Sequence, residues 1–185
     1  MFNFTKMRFY LLQIPVFFGL ICFACWPNEK TDKNKNNHQK TYNGDSLKNQ
    51  FIKANKQIIQ KEIDEMDYYA KSHKMAFTVT SAGIRYYVYK PSAKGDSLKS
   101  GGMVTMDYKV SLLDGTECYS SQKEGKKTFI VGEENIESGI HKAMLFLKRG
   151  DKAIILIPSY LAHGLLGDLK KIPPQMPIIY DVEIY

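Results

Sequence analysis

The chain has 185 residues, 44% hydrophobic and 24% charged, which is enough for one domain with appendages and too short for two comfortable cores. Its 26 basic and 19 acidic side chains leave a net charge of +7, but the lysines are spread along the chain without interleaved aromatics, which argues against a nucleic-acid binder. The three cysteines, Cys22, Cys25 and Cys118, include one CxxC spacing with neither a second ligand pair nor a βαβ setting, which excludes a zinc ribbon or thioredoxin-like reading.

Residues 1–25 read as an export signal. Lys6 and Arg8 precede an apolar run from Phe9 to Ala24, broken by Gln13 and Pro15. Ala24 directly before Cys25 resembles a bacterial lipobox, so Cys25 is the expected lipidation site, although Cys22 and Phe23 depart from the usual pattern. The alternative is an uncleaved anchor helix, since the run approaches the roughly 18 apolar residues that allow spanning. Both readings tether the chain to a membrane and place the remainder outside the cytoplasm, in the bacterial envelope and facing the periplasm.

Residues 26–50 hold almost nothing apolar to bury and are expected to form a disordered polar tether, with His38 solvated. Residues 51–80 are read as an amphipathic helix and its lead-in. Ile52, Ile59, Ile63, Met66 and Ala70 share one helical face, while Lys53, Lys56, Lys61, Asp64 and Glu65 lie opposite. An isolated helix of this length is marginal, so the stripe must pack. Docking on its own domain is the expected outcome; a homodimer through helix 51–71 is the other.

Residues 81–185 carry the remaining domain. Ile84 to Tyr89 alternates as a strand, and so does Val104 to Leu112, after a loop over 91–102. Asp114-Gly115 predicts a tight return, and Thr128 to Val131 is a further strand. Ser138 to Lys148 reads as a short helix with Ile140, Ala143, Met144 and Leu147 inward, Ser138 as cap and Gly150 as stop. Ile154 to Ile157 is a strand ended by Pro158, and Ile178, Tyr180, Val182 and Ile184 mark the inner face of the last strand. The pattern predicts an α+β fold, an antiparallel sheet wrapped around a short central helix.

The segment between the last two strands is too apolar for a plain connector. Leu161, His163, Leu165, Leu166 and Leu169 fall around Gly164 and Gly167, before Pro173 and Pro174, and loops of this kind usually carry function. No metal set, nucleophile triad or phosphate cradle can be assembled: His73, His141 and His163 match no ligand spacing, and Ser120-Ser121 lacks a nucleophile-elbow context. No cofactor is expected.

Read together, Asp107-Tyr108, Asp114-Gly115, Phe129 to Gly132, Ile136 with Gly139, Gly150, Pro158-Ser159, Ile172-Pro173-Pro174 and Tyr180-Asp181-Val182-Glu183 resemble FKBP-type peptidyl-prolyl cis-trans isomerases over about residues 100–185. The resemblance implies chemistry without a nucleophile: an apolar pocket that favours the twisted X-Pro amide lowers a rotation barrier of roughly 18–20 kcal/mol. Carried over by position, it implies pocket walls at Tyr108, Phe129, Ile136, Ile140, Ile172 and Tyr180, although these residues serve equally well as core. It implies a substrate hydrogen bond from His163, in place of the family's loop Tyr.

Four further positions depart from the family pattern. Cys118 stands for the usual Phe, Tyr119 for Asp, Lys127 for a second Phe, and Glu137 for an apolar residue. Ile140 stands where a Trp often forms the floor. The expected substrates are proline-containing unfolded or extended polypeptides; the alternative is a weak or inactive FKBP-fold module that binds unfolded chains or an envelope partner. The signal, tether, KQIIQKEIDEM helix and Tyr-Tyr-Val-Tyr strand are similar to the gliding-motility-associated FKBP lipoproteins, whose implied role is to help exported envelope proteins fold.

Overall fold

A computed structural model describes residues 44–133 and 136–185. The export signal, Cys25, the anchor alternative and most of the tether lie outside the described residues. Among the described residues, no helix is long and apolar enough to cross a membrane.

The expected α+β architecture is present. Helix α1 (Gly44–Ser72) leads into strands β1 (Thr78–Val79), β2 (Arg85–Lys90), β3 (Met103–Leu112) and β4 (Glu117–Ser120). One helical turn, α2 (Ser121–Glu124), precedes β5 (Lys127–Ile130), α3 (Ser138–Met144), β6 (Lys152–Ile157) and β7 (Ile178–Ile184). The sheet runs β1-β2-β6-β7-β3-β4, and β5 pairs with the same edge of β3 further along. All pairings are antiparallel.

Strand alternation decides which side chains meet α3. Val104, Met106, Tyr108 and Val110 of β3, Ile155 and Ile157 of β6, and Ile178, Tyr180, Val182 and Ile184 of β7 all join one buried cluster with Ile140, Ala143 and Met144 of α3. Gly139 lets the helix approach the sheet this closely, because a Cβ there would lie 2.3 Å from Ile157 Cγ2 and 3.0 Å from the Leu161 carbonyl oxygen. The other face of the sheet holds a second cluster: Met66 of α1 seats on Leu156 and Ile179, with Tyr69, Phe77, Leu113 and Ile154 around them. This is why β6 reads as an unbroken apolar run, for both of its faces are covered.

Three expectations change. Helix α1 begins at Gly44, so residues 44–50 of the expected tether are helical; their polarity argues against burial, not against helix, and Asp45 in the first turn suits the helix dipole. The stripe along α1 divides: Met66 is fully buried on Leu156 and Ile179, whereas Ile52 and Ile59 are 43% and 39% exposed. Helix α3 stops at Met144, and its N-cap is Glu137 instead of Ser138. The Ser138 hydroxyl donates to the Leu161 carbonyl at 3.3 Å instead, which ties α3 to the loop after β6.

Candidate active site

A cavity of about 330 Å³ opens where β3, β4, α3 and the loop between β6 and β7 converge. Its inner wall is aromatic. Tyr108 and Tyr180 face each other from adjacent strands with ring centroids 6.3 Å apart, because Tyr108 pairs with Val182 and Val110 with Tyr180 in the β3–β7 register. Both rings are almost fully buried, at 8% and 2% exposure. Their hydroxyls are engaged: Tyr108 donates to Glu124 Oε2 at 3.0 Å, and Tyr180 donates to Glu137 Oε2 at 2.9 Å. Burial, then the carboxylate neighbours, raise both phenol pKa values, Tyr108 to about 12 and Tyr180 further. Both therefore act as neutral donors.

Glu137 also faces His163. The imidazole Nε2 lies 3.0 Å from Glu137 Oε1 but off the line of an aligned hydrogen bond. One carboxylate thus ties the strand-borne Tyr180 to the loop-borne His163.

The far wall is made by Tyr119 and Asp168. Tyr119 does not fill the cavity, since its hydroxyl is drawn aside to Asp168 Oδ2. Asp168 Oδ1 accepts from the backbone N–H groups of Lys170, Lys171 and Ile172 at 2.8–2.9 Å and so folds the loop on itself. Partial burial works against the Asp168 charge, but the Tyr119 hydroxyl and the three N–H groups hold its carboxyl at about 2. Lys171 closes this corner, with Nζ 2.7 Å from the Cys118 carbonyl and 4.6 Å from the Tyr119 ring centroid.

The residues singled out in the sequence divide by depth. Tyr108, Tyr180, His163, Tyr119, Lys127 and Glu137 line the cavity. Phe129, Ile140 and Ile172 lie beneath it in the core, at 3%, 0% and 3% exposure. Cys118 is buried too, with Sγ against the Thr116 and Lys171 carbonyls, and burial pushes its thiol pKa up. Ile136 stands apart, half-buried on a neighbouring cavity of about 420 Å³ with Val131, His141 and Leu145. Sequence reasoning missed Glu124, which partners Tyr108, and Asp168, which shapes the loop. A turn-forming Asp in the apolar run Leu-Gly-Asp-Leu-Lys-Lys-Ile was the available signal for the second.

The loop that carries His163 and Asp168 also exposes Leu165, Leu166 and Leu169, at 67%, 69% and 84% exposure. Among the described residues no cluster of His, Cys, Asp or Glu is arranged to hold a metal. The arrangement can therefore seat a small apolar ring against aromatic walls and offer hydrogen-bond donors near it; it offers no nucleophile.

Comparison with known proteins agrees with this geometry. Residues 95–185 match the family model for FKBP-type peptidyl-prolyl cis-trans isomerases. The chain is 29% identical over 157 residues to the FKBP-type isomerase FkpA of Buchnera aphidicola (subsp. Schizaphis graminum), covering 84% of this chain and 57% of that protein. It is 29% identical over 133 residues to FkpA of Escherichia coli K12, covering 71% and 48%, so it spans about half the length of the curated relatives it matches. The fold is similar to the crystal structure of Escherichia coli FkpA, with TM-score 0.57 and 26% identity over 76% of this chain and 69% of that one. It is also similar to AtFKBP13, with TM-score 0.55 and 25% identity over 58% and 95%. Through residues 95–185 the chain belongs to the FKBP-type peptidyl-prolyl cis-trans isomerase family.

Proposed function

We propose that this chain accelerates cis–trans rotation of X-Pro bonds in extended or unfolded polypeptides. The observation that carries the reading is the buried Tyr108–Tyr180 corner beside a loop with exposed leucines. A proline ring held there leaves water, and the amide that has lost its resonance is the species such a wall favours. His163 is the donor for the substrate carbonyl. The substrates are exported envelope proteins, and the chain reaches them as a lipid- or helix-anchored protein; the basic and apolar N-terminus supports this, and the likeness to gliding-motility lipoproteins rests on the same segment.

The test is a protease-free refolding assay in which a proline isomerisation limits the rate. Acceleration by the intact chain that disappears with Tyr180→Ala supports the reading. A folded chain without effect moves the function to binding alone. That second reading has its own support in the exposed leucines of the loop and in Cys118, Tyr119, Lys127 and Ile140 at positions where the family pattern differs.

A further inference from the structure

The loop that carries His163 is held from outside the family-matched segment. Its first turn, Ser159–Leu161, follows directly on β6. Glu62 of α1 is almost fully buried, at 3% exposure, beside an equally buried Ser159 at 5%. One Glu62 oxygen accepts from the Ser159 backbone N–H at 2.8 Å, and the other accepts from the Ser159 hydroxyl at 2.5 Å.

Ser159 then passes the constraint on. Its carbonyl accepts from the backbone N–H of Ala162 at 2.9 Å and from that of Gly164 at 2.8 Å, the two residues that flank His163. The next residue is pegged in the same direction: the Tyr160 hydroxyl donates to the Ala82 carbonyl at 2.8 Å, packed so closely that a Cβ on Gly83 would lie 2.5 Å from it. Arg85 fixes α1 against this seat, with Nη2 2.7 Å from Asp67 Oδ1 and Nη1 3.2 Å from the Gly83 carbonyl. Two hydrogen bonds therefore separate a buried carboxylate on α1 from the backbone on either side of His163.

We propose that Glu62 is a positioning residue of the isomerase pocket, which sets the place of His163 by clamping Ser159. The role rests on the reading of His163 as the substrate's donor. A buried carboxylate with both oxygens committed to one residue is costly to place unless its bonds are made, and removing it leaves a buried N–H without an acceptor. Gln in its place can accept from the Ser159 N–H and donate to the hydroxyl oxygen, so it restores the clamp without the charge.

The experiment compares the intact chain with Glu62→Ala, Glu62→Gln and Ser159→Ala by amide hydrogen exchange and by kcat/KM on a short X-Pro peptide. Glu62→Ala is expected to speed exchange at Ala162 and Gly164 by roughly tenfold while β7 amides keep their protection, and to lower kcat/KM by about tenfold. Glu62→Gln is expected to restore both to within about twofold. A folded Glu62→Ala protein with unchanged exchange at 162 and 164 overturns the proposal, and so does a Gln variant as damaged as the Ala one. Should Glu62→Ala fail to fold, Ser159→Ala decides: faster exchange confined to 162 and 164 supports the clamp, and none refutes it. If the wild-type chain proves to have no turnover, the isomerase reading falls while the exchange measurements still decide the role of Glu62.

Discussion

Tyr180 makes two separable contributions, and single substitutions pull them apart. Its ring is the wall of the cavity, and its hydroxyl only satisfies Glu137. Tyr180→Phe removes the hydrogen bond and leaves the wall, so it is expected to cost about 1 kcal/mol of stability and to keep most of the proposed isomerase activity. Tyr180→Ala removes the wall as well; core truncation of an aromatic costs about 3–5 kcal/mol, and activity should be lost in protein that remains folded at low temperature. Equal loss of activity in the two variants would mean that the hydroxyl matters to turnover. Asp168 behaves differently, because its carboxylate is committed to the Tyr119 hydroxyl and to three backbone N–H groups of its own loop. Its carboxyl is held at about 2, below its unfolded value of about 3.9. Its stabilising bonds are therefore fully present above about pH 4 and fade as the pH falls toward 2. Asp168→Ala is expected to cost about 1–3 kcal/mol at neutral pH, and the gap from wild type should close on acidification. Urea titrations at pH 7 and pH 3 measure it; a gap independent of pH would place the cost in lost packing instead.

At the scale of elements, α3 is set by one residue without a side chain. A methyl on Gly139 gains helix propensity of roughly 1 kcal/mol, but it lies 2.3 Å from Ile157 Cγ2, a separation real Cβ atoms essentially never show, and tightly at 3.0 Å from the Leu161 carbonyl. The clash wins, because one neighbour is backbone and the other is a fully buried Ile; Gly139→Ala should destabilise by about 1–3 kcal/mol. A variant as stable as wild type in thermal melts would show that the helix can slide. Periodicity made most elements legible, since β3 and β7 each bury one face and their alternation was visible in the residues themselves. It could not show that α1 covers the opposite face of the sheet, because a run such as Ile154–Ile157 reads as buried without saying by what. The site was legible in its aromatic walls through family resemblance. Its polar partners were not, since Glu124, Asp168 and Glu62 reach their roles only through contacts distant in sequence.

The described residues form a sheet with a cluster on each face, and this fixes how much of α1 the domain needs. From Glu62 onward the helix supplies Met66 to the second cluster, Asp67 to Arg85, and the clamp on Ser159. Before Ile58 every described residue of α1 is exposed. A chain beginning near residue 56 should therefore keep the stability of the full protein, whereas one beginning at Met75 should lose it steeply. Full burial of Met66 alone is worth about 1.5–3 kcal/mol, and losing Asp67 as partner of Arg85 and Glu62 as acceptor for Ser159 adds to that loss. Urea unfolding of the two truncated chains measures the difference. If both unfold at the same midpoint, α1 is an appendage and residues 75–185 are a self-sufficient domain. A large gap makes the helix part of the same folding unit, and residue 95 then marks only where the match to the family model begins.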